Sequence, residues 1–115
     1  MWSEFKNFYI CDQQQLEANS QLSNLYSTNY LDTRNNSDEC RLQIHSGDGV
    51  VRLEVVYKKG FDKVLFYDGA DEQATLLDNA IDNDILITSG EYLYIKYTAD
   101  AVTTGSTFHF RFTSG

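Results

Sequence analysis

No proline occurs anywhere in the 115 residues. Turns must therefore rest on glycine, asparagine and aspartate. Cysteine is scarce, with Cys11 and Cys40 the only two. In an intracellular chain they would be free thiols, and in an exported chain a disulfide. Their spacing alone does not choose. A bond between them would close a loop of about 30 residues and contribute roughly 3.5 kcal/mol in the chain-entropy account. No stretch approaches the ~20 apolar residues that a membrane-spanning helix needs, so direct membrane insertion is not expected. Basic residues are few, 9 Lys and Arg against 17 Asp and Glu, for a net charge of −8. Such a surface repels phosphate backbones and anionic lipid, which argues against nucleic acid as a partner. It suits basic proteins or carboxylate-held cations better, although an acidic surface also serves plain solubility.

Enough is present for a real core. Hydrophobic residues make up 42% and aromatics 14%, which marks a globular chain. One domain of this length buries roughly 65% of the surface its unfolded form exposes. Eight tyrosines and seven phenylalanines favour strands. Residues 1–10 form an aromatic N-terminal extension (Trp2, Phe5, Phe8, Tyr9). It can be read as one helical face, an edge strand or a tail packing across the domain. The segment begins with charges where a leader would carry its apolar run, so export implies a leader already removed. Residues 12–38 are polar, and one short strand near Leu16 followed by a long loop is expected. Asn35-Asn36-Ser37 is an N-glycosylation triplet, relevant only to a secreted chain.

From Arg41 the alternation is regular. Leu42 and Ile44 alternate with Arg41, Gln43 and His45, and Val51, Leu53 and Val55 with Arg52 and Glu54. The intervening Ser46-Gly47-Asp48-Gly49 predicts a hairpin between the two runs. Val64 and Phe66 follow, ended by Asp68-Gly69, and then Ile85-Leu86-Ile87. Leu93, Ile95 and Tyr97 face one way and Tyr92, Tyr94 and Lys96 the other. Phe108, Phe110 and Phe112 alternate with His109 and Arg111. Short strands at close spacing without a long helical pattern predict an antiparallel β-sandwich.

The order of these motifs resembles the CUB domain family. Cys11 resembles its first cysteine, and Tyr26-Ser27-Thr28-Asn29-Tyr30 its Ser-Pro-Asn-Tyr-Pro loop with both prolines lost. Cys40-Arg41-Leu42-Gln43-Ile44 resembles its Cys-x-aromatic-x-Ile strand. Asp62 to Gly69 resembles its Asp-x-Val-x-Val-x-Asp-Gly strand and turn. Leu93 to Asp100 resembles its Leu-x-Ile-x-Phe-x-Ser-Asp strand, and the terminal phenylalanines its closing strand. The resemblance runs from Cys11 to Phe112. It implies an all-β, antiparallel jelly-roll sandwich over residues 11–115, a Cys11–Cys40 disulfide and an extracellular location, secreted or on an ectodomain. The family's second disulfide has no counterpart here.

Calcium-binding members of the family use acids that match Asp62 and Asp100. Calcium takes about six to eight oxygens, so more donors must converge than these two. The family's glutamate is missing from Tyr57-Lys58-Lys59-Gly60-Phe61, its tyrosine position falls near Arg34, and Ala101-Val102 offer only carbonyls. The expectation is therefore no resident cofactor. Arg34, Lys58 or Lys59 would take the place of the ion between Asp62 and Asp100, with calcium as the alternative occupant. A second candidate set is the outward aromatic face of Leu65, Tyr67, Tyr92 and Tyr94, which would serve as a protein interface or stack on sugar rings. Its competitor is a covered sheet face. Catalysis has little to stand on. His45 and His109 occupy outward strand positions, and no nucleophile elbow or zinc spacing occurs.

The resulting expectation is a non-catalytic extracellular protein-interaction module. Its partner would offer a lysine or arginine to Asp62 and Asp100, as the resemblance implies. A carbohydrate-binding sandwich is the rival reading, and a spacer between domains the plainest.

Overall fold

A computed structural model of the chain describes residues 6–10, 14–26, 39–47, 49–59, 63–77, 85–98 and 107–114. Ten strands are assigned among them: β1 (Lys6–Tyr9), β2 (Gln15–Ala18), β3 (Ser23–Tyr26), β4 (Glu39–Ser46), β5 (Val51–Lys59), β6 (Lys63–Asp68), β7 (Thr75–Leu76), β8 (Ile85–Ile87), β9 (Tyr92–Thr98) and β10 (Thr107–Ser114). They form two five-stranded sheets, ordered β1-β3-β10-β5-β8 and β2-β4-β9-β6-β7. Each sheet begins with a parallel pair, β1 with β3 and β2 with β4, and is antiparallel from there on. The sandwich is thus all-β and mostly antiparallel, with one parallel edge in each sheet.

The period-two alternation explains the layers. Leu42 and Ile44 of β4, Phe66 of β6, and Leu93, Ile95 and Tyr97 of β9 are all buried. From the other sheet, Leu53 and Val55 of β5 and Phe108, Phe110 and Phe112 of β10 meet them. Phe66 contacts Phe110 edge-on at 5.4 Å, and Tyr97 contacts Phe108 at 5.6 Å, so rings interlock across the two sheets. Burying one such side chain is worth about 1.5–3 kcal/mol, which makes this dry layer the main source of stability.

Two expectations change, and one open alternative is resolved. The run at 41–45 and the run at 51–55 do not form a hairpin. β4 pairs with β2 and β9, while β5 pairs with β10 and β8. A hairpin would set both apolar rows on one face of one sheet, whereas this connection crosses the sandwich and sets them face to face. Alternation fits either arrangement, so it could not distinguish them. Gly49, at φ 127°, supplies a backbone conformation in the crossing that side chains rarely adopt. Of the N-terminal aromatics, Phe8 and Tyr9 lie in the edge strand β1, which pairs with β3 in the sheet opposite Tyr92 and Tyr94, while Trp2 and Phe5 lie outside the described residues. Finally, the polar segment holds two strands, β2 and β3, rather than one.

A buried threonine ties the end of β8 to β5. The Thr88 N–H donates to the Val51 carbonyl at 3.0 Å, and the Val51 N–H donates to Thr88 Oγ1 at 2.9 Å. The Thr88 hydroxyl in turn donates to the Gly90 carbonyl at 2.6 Å. These bonds satisfy polar groups that would otherwise be costly at a buried position.

Candidate functional site

Among the residues singled out from the sequence, Cys11, Arg34, Asn35, Asp62 and Asp100 lie outside the described residues, as do the side chains of Lys58 and Lys59. Cys40 is packed against the core, and no free cysteine is found among the described residues. Leu65, Tyr67, Tyr92 and Tyr94 are all described. They share the outer face of the second sheet and are half-buried.

That face is built in rows by strand register. Gln43 lies opposite Tyr94, Tyr94 opposite Tyr67, and Tyr67 opposite Leu76. Arg41 lies opposite Lys96, and Lys96 opposite Leu65. The Tyr67 and Tyr94 rings stand 6.1 Å apart with their planes at 58°. Rings so tilted do not make the flat platform that stacks on a sugar.

The turn that follows β6 folds back over the same rows. Glu72 takes Arg41 at 3.0 Å with one carboxylate oxygen and Lys96 at 3.2 Å with the other. The Gln43 side-chain amide donates to the Ala70 carbonyl at 2.9 Å. Both cations hold the Glu72 carboxyl below the usual range, the bond to Lys96 most strongly. Burial pushes the Tyr94 hydroxyl above its ordinary value. Gly69 permits this fold-back, since a Cβ there would sit 2.4 Å from the Ala74 Cβ. The Gln73 N–H donates to Asp71 Oδ1, and the Ala74 N–H to the Asp71 carbonyl, which closes the turn.

A neighbouring row holds a second polar cluster. His45 Nδ1 lies 2.9 Å from Glu17 and its Nε2 3.0 Å from Glu91. Both bonds raise the imidazole pKa, the one to Glu91 most. Tyr92 packs against the same ring at 4.7 Å. Neither cluster was foreseen, because each joins residues far apart in sequence, and Glu72 and Glu91 sit in turns that carry no periodic signal. On the opposite sheet Tyr9, Tyr26 and His109 form a cross-strand ladder, with Tyr26 stacked on His109 at 4.5 Å. Burial lowers the His109 pKa, and its Nε2 lies 2.9 Å from Asn24 Oδ1. The two imidazoles are thus in opposite environments, and among the described residues neither lies in a metal-binding group.

No family model matches the chain, and no curated protein does. Solved structures do. The chain is similar to the CUB1-EGF-CUB2 domains of rat MASP-1, with TM-score 0.65 and 13% identity over 89% of this chain and 43% of that one. The human MASP-1/3 CUB1-EGF-CUB2 domain gives TM-score 0.62 at 12% identity, covering 91% of this chain and 42% of that one. The full extracellular region of zebrafish Gpr126/Adgrg6 gives 0.60 at 14% identity, covering 84% and 14%. The chain therefore spans less than half the length of each. At these identities the likeness concerns the fold, which is a CUB-like β-sandwich.

Proposed function

We propose that the chain is a non-catalytic, extracellular protein-interaction module. Residues 11–115 would form the module, and residues 1–10 an extension whose last part supplies an edge strand. The observation that carries this reading is the likeness over 89% of the chain to the CUB1-EGF-CUB2 domains of rat MASP-1. The reading extends to a Cys11–Cys40 disulfide, glycosylation at Asn35 and a partner that brings a lysine or arginine to Asp62 and Asp100. Support for the last point comes from register. Lys63, which follows Asp62, pairs with Thr98, two residues before Asp100. Where Arg34 or a nearby lysine already holds the two aspartates, the partner uses another surface, and calcium is the competing occupant.

The test is a multivalent display of the chain against a library of extracellular proteins, with a glycan array in parallel. A protein ligand whose capture is lost in Asp62→Ala/Asp100→Ala is expected. Glycan capture without any protein ligand would overturn the reading in favour of a carbohydrate module. Calorimetry decides the occupant, since micromolar calcium binding would sink the basic side chain.

A further inference from the structure

The large apolar side chains exposed among the described residues are Leu76, Ile85 and Ile87, at 53%, 48% and 59%. All belong to the outermost strand of a sheet, β7 or β8. β8 carries two of them. Its register on β5 sets Arg52 opposite Ile87, Leu53 opposite Leu86 and Glu54 opposite Ile85. The Thr88 N–H points to β5, where it donates to the Val51 carbonyl. By the two-residue repeat of a strand, the amide and carbonyl of Leu86 also face β5, and those of Ile85 and Ile87 face the open side. Among the described residues no strand pairs with that side. Edge strands are ordinarily shielded by lysine, proline or a bulge, and β8 has none of these. Among the described residues its protection is its length of three residues.

Charge selects the occupant. The chain carries a net charge of −8, and the charged side chains that the described residues set beside β8 are Glu54 opposite Ile85, Asp68, whose carboxylate accepts from the Ser89 N–H, and Arg52 opposite Ile87. Two copies of so acidic a chain repel one another, whereas a basic segment is drawn to it. We propose that the open edge of β8 takes an extended segment of a partner protein, apolar at alternate positions and rich in lysine or arginine, as an added strand. Backbone bonds to Ile85 and Ile87 give the affinity. Their side chains pack against the apolar positions, and the chain's net negative charge favours the basic ones. This rests on the module reading above and adds a docking surface separate from Asp62 and Asp100.

The experiment uses the whole chain, ¹⁵N-labelled, with a capped heptapeptide of alternating lysine and valine. Saturable binding should slow exchange of the Ile85 and Ile87 amides at least tenfold. Ile87→Pro removes an outward N–H and should weaken binding at least tenfold while leaving the β5 ladder intact. Ile85→Lys/Ile87→Lys keeps every amide and should weaken it likewise through charge, which covers a folding defect in the proline variant. Equal binding by a glutamate-valine heptapeptide, or unchanged binding by both variants, overturns the inference. So does concentration-dependent dimerisation that Ile87→Pro abolishes, because the occupant is then a second copy. Peptide shifts confined to Lys63 and Thr98 overturn the edge site and leave the module reading standing.

Discussion

Substituting Gly69 by alanine tests the packing that closes the turn over the tyrosine face. The added Cβ would lie 2.4 Å from the Ala74 Cβ. That is well inside contact distance, and neither atom belongs to a side chain that can swing away. The turn is also held by the two bonds to Asp71 and by Glu72 on Arg41 and Lys96. Overpacking of this kind costs typically 1–3 kcal/mol, so about 2 kcal/mol is expected. With a urea slope of roughly 1–3 kcal/mol per molar, the midpoint should fall by about 1 M with the slope unchanged. Ala74→Gly alone should cost about 0.4–1 kcal/mol, chiefly through the unfolded chain. The double variant Gly69→Ala/Ala74→Gly moves the methyl from one side of the contact to the other and should recover most of the loss. The expected coupling is about 1–2 kcal/mol, against additivity within about 0.5 kcal/mol for independent sites. A ¹³C-tyrosine titration should show the Tyr94 hydroxyl moving back toward its ordinary value in Gly69→Ala and returning in the double variant. Additive free energies, or an unmoved Tyr94, would refute the idea that this one contact seats the turn.

The histidines should titrate in opposite directions. His45, raised by Glu91 and Glu17, contributes stability that is full below its unfolded value of ~6.5 and lost as pH rises through its higher folded value. His109, lowered by burial, contributes stability present above ~6.5 and lost as pH falls through its lower folded value. NMR titration resolves the two, and Glu17→Gln/Glu91→Gln should bring His45 alone back toward the ordinary value. Thr88→Val keeps the shape but leaves the Val51 N–H without the hydroxyl at 2.9 Å, and chemical denaturation should show a loss of about 1–3 kcal/mol. Phe66→Ala opens a void beside Phe110 and should cost about 3–5 kcal/mol by the same assay.

Much of the fold was legible because burial and sequence period agree. The apolar positions of β4, β5, β6, β9 and β10 are the ones that alternation selects, from Leu42 to Phe112. Pairing was less legible. Period two tells which side chains share a face and is silent on which strand lies beside which, so the β4–β5 connection reads equally as hairpin or crossing. β3 was hidden because Ser23 and Asn24 look like loop residues, although Leu25 is fully buried. The parallel edges were hidden too, since β1, β2 and β3 are only four residues long, too short to show an apolar pattern of their own.

On the tyrosine face, residue type alone leaves out the side chains that surround it. Tyr67, Tyr92 and Tyr94 do lie opposite the core, as alternation requires, and outward aromatics in a row invite a binding role. Three arginine, lysine and glutamate side chains answer that invitation from within the chain. Glu72 bonds Arg41 and Lys96 on the strands beside Tyr94, and Gln43 holds the Ala70 carbonyl of the same turn. A ligand on Tyr94 would have to lift this turn and leave two cations without their carboxylate. The open edge of β8 asks for no such rearrangement. Its amides already face outward, its isoleucines are already exposed, and nothing among the described residues must move before a strand is added. Preorganisation therefore favours the edge over the aromatic face as the place where a partner would dock.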